Sequence, residues 1–337
     1  MRTFVFWTVT VVFITAISLA GWFALYVTTP VSGTAQVRVL IPRGAGVRRI
    51  TKILGEKGII TDDVRFLVLV RLLDKVNKLR AGEFIIARGL TPLQVLQFLE
   101  TAKPVSHLVT IPEGFTMEQV AQVFADRHWV DKEEFLRLCR KPSFIKKTGL
   151  TGKTLEGYLF PDTYALVRGE VNTEIIITMM VDNFKNVWKS LNKPDKLQWS
   201  RHELVTLASI VEKETGAATE RATIAGVFYN RLRKGMRLQS DPTTIYGLAH
   251  FNGNLTRRDL QSKTPYNTYV IPGLPPGPIC SPGRSALSAV LHPAKVPYYY
   301  FVAKNDGTHC FSTSLKQHNR AVRTYQKKRS NGQMHKK

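Results

Sequence analysis

The chain opens on an uninterrupted apolar run. Phe4 to Val27 contains no charged residue and is rich in Val, Ile, Leu, Phe and Trp. At ~1.5 Å rise per residue such a run covers the ~30 Å hydrocarbon core of a bilayer, so the pattern predicts one transmembrane helix over residues 4–27. A cleaved signal peptide is the competing reading. The run exceeds the usual apolar region of such peptides, however, and Val27-Thr28-Thr29-Pro30 is not a clean small-residue cleavage site. Residues 1–3 then form a cytoplasmic stub. Arg2 and the terminal amine favour an inside N-terminus, which leaves the bulk of the chain outside the cytoplasm.

After a short linker, Gly33 to Gln36, the periodicity changes. Val37 to Pro42 alternates like a strand, and Val47 to Leu54 has helical spacing through Val47, Ile50, Ile53 and Leu54. The same grammar returns about seventy residues later. Ile41-Pro42-Arg43-Gly44 is echoed by Ile111-Pro112-Glu113-Gly114, and Ile60-Thr61-Asp62-Asp63 with Phe66-Leu67 by Val130-Asp131-Lys132-Glu133 with Phe135-Leu136. The repeat predicts strand, turn, helix and second short helix. A hairpin-like stretch, Ala81 to Ile86, follows the first copy, and Thr91-Pro92 opens a helix anchored by Leu93, Leu96, Phe98 and Leu99. Residues 37–150 are therefore expected to form a small repeated α+β module, either a folded stalk or a ligand-binding unit. Lys141 to Thr154, with its lysines and glycines, marks the boundary.

A larger second domain is expected over residues 151–328. Helices are predicted at about Glu174 to Ser190, Arg201 to Thr215, Thr219 to Lys234 and Ser285 to Leu291, the last preceded by a Pro/Gly-rich stretch, Ile271 to Pro282. Tyr298 to Ala303 and His309 to Ser312 read as strands joined by a turn at Asn305-Asp306-Gly307. A last helix runs from Leu315 to Lys328, and residues 329–337 form a basic tail. The fold class is α+β.

Composition narrows the classes. Forty-eight Lys and Arg against 25 Asp and Glu give a formal charge of +23, which attracts any polyanion. The basic residues are scattered, without zinc-ligand spacing, ribonucleoprotein motif or basic-region helix, so nucleic acid ranks low. Cys139, Cys280 and Cys310 lack the C-x-x-C spacing of a metal or redox site; burial is the default for each, and a Cys280–Cys310 bridge is not expected.

The helix ending at Thr215 carries two carboxylates. At ~100° per residue, Leu204, Leu207, Ala208, Ile210 and Val211 define one apolar face, with Glu214 roughly 50° from its centre and Glu212 roughly 110° away. Glu214 is thus expected to point inward and Glu212 outward. Partial burial at a helix C-terminus raises a carboxyl pKa, as a general acid near neutral pH requires. Taken alone, an inward Glu paired with Arg221 or Arg231 is the commoner arrangement. Neither a G-x-S-x-G elbow nor a zinc signature is present.

Ala208 to Thr215 resembles the helix end of lytic transglycosylases and goose-type lysozymes, where a small apolar run leads to Glu followed by Ser or Thr. More specifically, seven stretches in order resemble the endolytic murein transglycosylases, the YceG-like family: Leu155 to Tyr164, Ala208 to Thr215, Gly226 to Leu232, Met236 to Thr243, Pro265 to Tyr269, Gly273 to Ile279 and His292 to Lys295. Cys280-Ser281-Pro282 departs from the pattern, which usually has small residues before the proline. The resemblance places the repeated module where the family carries its LysM-like region. It implies cleavage of the β-1,4 bond between N-acetylmuramic acid and N-acetylglucosamine with formation of 1,6-anhydromuramoyl ends, Glu214 serving as acid and then base.

It also implies that Glu156, Asp162, Gln239, Asp241, Tyr246, Tyr266 and Asn267 line the glycan cleft, although Asp162, Asp241 and Asn267 also suit turns. No cofactor and no metal are implied. The expected partners are peptidoglycan glycan strands, the inner membrane and, by resemblance alone, the peptidoglycan synthases (penicillin-binding proteins). A non-catalytic, membrane-anchored wall-binding scaffold is the rival reading. A water-using glycosidase would need a second Asp or Glu within ~5–9.5 Å.

Overall fold

The apolar N-terminal run forms a single helix, α1 (Arg2–Thr28), in the computed structural model, which describes residues 2–194 and 199–327. Its segment Phe4–Thr28 is long and apolar enough to cross a membrane. The chain divides into two units, Met1–Val109 with Tyr164–Asn172, and Thr110–Thr163 with Thr173–Lys337.

The first unit continues through β1 (Gln36–Ile41), α2 (Val47–Glu56), α3 (Val64–Leu72), β2 (Gly82–Ala87) and α4 (Pro92–Thr101). It ends in β3 (Ser106–Thr110), which pairs with β4 (Thr163–Val167). The stretch from Ala81, read as part of a hairpin, pairs instead with β1, antiparallel, with Val39 opposite Phe84 and Ile41 opposite Gly82. Alternation fixes which side chains share a face but not which strand lies alongside. Val39, Ile41, Phe84 and Ile86 pack with Ile50, Leu54, Phe66, Leu96 and Leu99 into one core. Local chemistry starts the helices. The Asp63 side chain accepts the Arg65 N–H at the start of α3, and Thr91 and Gln94 form a reciprocal capping box ahead of Pro92. Tyr26, in the last turn of α1, is buried in this core, and Phe23 and Val27 pack against it.

The second unit contains α5 (Met117–Asp126), α6 (Lys132–Cys139), α7 (Pro142–Lys147), α8 (Thr173–Ser190), α9 (Arg201–Glu214), α10 (Arg221–Arg233), α11 (Asp241–Gly247) and α12 (Arg284–Leu291). An antiparallel hairpin, β5 (Tyr300–Ala303) and β6 (His309–Ser312), precedes α13 (Leu315–Val322). The last helix was read as running to Lys328; it widens into a π turn at Arg323–Lys327, and Lys328 with the tail 329–337 lies outside the described residues. The central helix is α9, packed on α10, α11 and α12.

The repeat is present as β1–α2–α3 and β3–α5–α6, but its second copy is divided from the first. Phe124 of α5 stacks on Phe135 of α6, and α6 packs on α8, so both helices belong to the larger unit. The change of unit falls at Val109–Thr110 rather than near residue 150. Residues 141–154, read as a boundary, contain α7 with Phe144 and Ile145 buried; two apolar anchors there outweigh a polar composition. All three cysteines are free.

The Pro/Gly-rich stretch before α12 is interior. Pro278, Ile279, Cys280, Ser281 and Pro282 are buried. Gly157 lies against it with φ +83°, and a Cβ there would sit 2.4 Å from Pro278 Cβ. Gly157→Ala is therefore expected to cost about 3 kcal/mol through left-handed strain and overpacking, measured by urea denaturation.

Candidate active site

Helix α9 begins where Ser200 and Glu203 form a capping box, and every residue from Leu204 to Val211 is buried. A helix covered on all sides has no solvent face, and this corrects the expected orientation of Glu212. Its side chain is only 6% exposed. Glu212 Oε1 pairs with Arg221 at 3.0 Å, and Oε2 accepts the Gly283 N–H at 3.0 Å. Glu212 is thus a buried, neutralised structural carboxylate.

Glu214 is the last residue of α9, and Thr215 turns extended immediately after it. Arg221 is occupied by Glu212. Arg231 donates to the carbonyls of Tyr299 at 2.6 Å and Leu238 at 2.7 Å. Neither takes Glu214 as an ion-pair partner. Its direct partner among the described residues is the Ser240 hydroxyl, which donates to Oε1. Burial pushes the Glu214 carboxyl up to about 7; Asp241's charge acts the same way, and the Ser240 hydrogen bond and Arg231's charge oppose it.

Ser240 is held by its own network. Its N–H donates to Thr268 Oγ1 at 3.0 Å, and Thr243 Oγ1 donates to its carbonyl at 2.7 Å. The preceding residue, Gln239, adopts φ +51°. A left-handed Gln is uncommon, and here it turns the chain so that Ser240 meets Glu214. Arg231 reinforces the turn by tying Leu238 to the approach of the β5–β6 hairpin through Tyr299.

Glu214, Thr215 and Gly216 line an open cavity of about 370 Å³ with Ala303, Asn305, Gly307, Thr308 and His309 of the hairpin. That size falls within the range of ligand sites. Opposite Glu214's end of the cavity, His309 is held by Glu220, which accepts from the His309 N–H at 2.9 Å and contacts Nδ1 at 2.6 Å. Asp241 accepts the Tyr269 hydroxyl at 2.6 Å.

A second group of expected site residues lies apart. Glu156 is 3% exposed and caps α5, accepting the Met117 N–H at 2.9 Å, and it accepts the Tyr246 hydroxyl at 3.0 Å. Burial raises its carboxyl to about 7, against the hydrogen bonds from Met117, Tyr246 and Gly157. Tyr246 packs on Tyr266, ring centroids 4.7 Å apart. Glu156 and Tyr246 line a cavity of about 820 Å³ with Met117, Gln122, Arg140 and Phe251. Helix α11 links the groups: Asp241 is its first residue and Tyr246 its sixth, about 7.5 Å further along the axis.

Two of the expected site residues have their side chains engaged within the protein. Asn267 is fully buried; its Oδ1 accepts from Thr244 and the Tyr269 N–H, and its Nδ2 donates to the carbonyls of Leu260 and Ser262. These bonds tie a turn together. Asp162 is exposed, but its carboxylate accepts the Thr163 N–H and the Asn183 amide, a turn role. Sequence reasoning missed Ser240, Tyr269, Glu220 and His309. Ser240 and Tyr269 lay inside quoted motifs without a chemical cue of their own; His309 carried none, since its partner lies 89 positions away. Among the described residues, no group of three or more His, Cys, Asp or Glu side chains is arranged to hold a metal ion.

Residues 39–324 match the YceG-like family. The chain is 34% identical over 307 residues to the endolytic murein transglycosylase of Bacillus subtilis, covering 86% of this chain and 84% of that one. It is 29% identical over 349 residues to the Streptococcus pneumoniae protein of the same name, covering 92% of this chain but 63% of that protein's length. A crystal structure of a YceG-like protein from Listeria monocytogenes superposes with a TM-score of 0.59 at 34% identity, covering 86% of this chain and 99% of that one.

Proposed function

The chain belongs to the YceG-like family, and from that we propose that it is an endolytic murein transglycosylase, a lyase acting on peptidoglycan and anchored in the inner membrane by α1. It cleaves the bond between N-acetylmuramic acid and N-acetylglucosamine and leaves 1,6-anhydromuramoyl ends. The observation that carries this reading is Glu214: a carboxyl at a helix end, open to a cavity, bonded to a hydroxyl rather than to a cation, and raised to about 7.

One such group suffices for the reaction. Protonated Glu214 gives its proton to the glycosidic oxygen as that bond breaks, and N-acetylglucosamine leaves with a free 4-hydroxyl. The cationic muramoyl C1 is stabilised by the sugar's own 2-acetamido group. The muramoyl 6-hydroxyl then bonds to C1, and its proton passes to the Glu214 carboxylate, which restores the acid. No water is consumed. Asp241 and Gln239, beside Ser240, and the Glu156–Tyr246–Tyr266 cluster line the glycan path, and the first unit acts as a LysM-like holding module. The anchor sets the enzyme beside the peptidoglycan synthases, where new strands emerge at the outer face of the inner membrane.

Digestion of isolated peptidoglycan in heavy-oxygen water tests this reading. Unlabelled anhydro-ended products are expected; label at the muramoyl ends would mean hydrolysis, and the absence of products would mean a binding scaffold.

Ser240 tunes the acid. Its hydrogen bond favours ionised Glu214, so Ser240→Ala raises the carboxyl's pKa further. The chemistry starts from protonated Glu214 and fades as pH rises through about 7. The alkaline limb of kcat/KM is therefore expected to move about one pH unit upward in the variant, read from pH–rate profiles.

A further inference from the structure

Helix α3 carries apolar side chains on two opposite sides, with Arg65 and Arg71 between them, but is covered on only one of those sides. Phe66, Leu69 and Val70 face the core of the first unit. Val64, Val68 and Leu72 recur every fourth residue on the opposite side, and Val64 and Leu72 are 61% and 69% exposed. Leu73 and Val76, in the turn that follows, are exposed too. A second apolar stripe on a helix belongs in a protein core or in lipid, and among the described residues none covers this one.

Its height along α1 indicates what does. The Arg65 guanidinium of α3 stacks 4.6 Å over the Trp22 ring and 4.3 Å over the Tyr26 ring of α1. A ~30 Å core starting at Phe4 takes ~20 residues and ends near Phe23, so Trp22 and Tyr26 bracket its edge. An exposed amphipathic ring such as Trp22 suits that level, and α3 is held beside it by Arg65. Arg71, Lys78 and Arg80 are exposed along the same segment, with Asp74 the one acidic residue among them. Basic side chains flanking an exposed apolar stripe are the composition of an interfacial helix.

We infer that α3 and the turn after it form a second membrane contact, in which Val64, Val68, Leu72, Leu73 and Val76 enter the headgroup boundary and Arg71, Lys78 and Arg80 meet anionic headgroups. The inference rests on α1 being a membrane anchor. It makes the first unit a foot fixed on the bilayer surface instead of a domain swinging from a single helix.

The test uses the full chain in a Cys310→Ser background, Cys139 and Cys280 being buried. A bimane label is placed at Val68→Cys or Leu72→Cys, with Val11→Cys in α1 as the anchor control. The protein is reconstituted in vesicles of chain-brominated phosphatidylcholine, with and without phosphatidylglycerol. Loss of most of the emission at all three positions, deeper at 68 and 72 when phosphatidylglycerol is present, is expected. Quenching at position 11 with positions 68 and 72 bright overturns the inference and leaves the anchor standing; if those labels are also shielded from iodide, a second copy of the chain covers the stripe instead. A bright label at position 11 removes the anchor and the inference together. Quenching at 68 and 72 that ignores phosphatidylglycerol overturns the headgroup pairing.

Discussion

Glu214→Gln is expected to lower turnover of peptidoglycan about a thousandfold while leaving the protein folded. The amide matches the carboxyl in shape and keeps an oxygen to accept the Ser240 hydroxyl, so the local geometry survives. It has no proton to give the glycosidic oxygen and no basicity to take one from the 6-hydroxyl, so both halves of the reaction lose their agent. Stability should respond in the opposite sense. The fold raises the Glu214 pKa from 4.5 to about 7, so the native state holds more protons than the unfolded chain between those values. Stability is then fully present below about 4.5 and is lost as pH rises through about 7. Gln at position 214 removes that contribution. Thermal denaturation of the variant should vary less with pH across this interval, with Glu156, raised in the same direction, supplying the slope that remains.

Glu212→Ala should behave in the reverse way, costing about 3–5 kcal/mol and lowering Tm on the order of 10 °C, with loss of activity only through loss of folded protein. Both partners of its ion pair are nearly inaccessible, with Arg221 10% and Glu212 6% exposed. Truncation leaves the Arg221 charge with only the longer, half-exposed pairing to Glu113, whose Oε2 is 3.6 Å away. It also leaves the Gly283 N–H without its acceptor. Replacing both members by Met should restore much of the loss, since the penalty comes from the buried, poorly compensated charge and not from the absence of the pair. Calorimetry on the single and double variants measures this. The neighbouring carboxylates of α9 thus separate into one that serves stability and one that serves chemistry.

Much of this arrangement was legible in the residues. The long apolar run, the helix start at Thr91-Pro92, and the strand–turn–helix grammar of both repeats correspond to elements found close to their expected bounds, because each is set by neighbours within a few positions. Glu214 was singled out by its place at the end of α9. What could not be read was set at long range. The outward orientation given to Glu212 assumed one apolar face, whereas α9 is wrapped on every side by helices far along the chain. Asn267 suited a cleft by motif and is consumed by a buried turn. β2 found its partner across two helices, and α5 and α6 went to the larger unit because α8 and Glu156 hold them there. Ser240 became visible only once the left-handed Gln239 brought it to Glu214.

The most direct measurement is the mass of the muramoyl ends released from isolated peptidoglycan by the wild-type protein and by Glu214→Gln at equal folded concentration. Ends one water lighter than hydrolysed ones, from the wild type alone, are predicted. Undiminished release by the variant, or hydrated ends from the wild type, would contradict the assignment of Glu214 as acid and base of an anhydro-forming lyase.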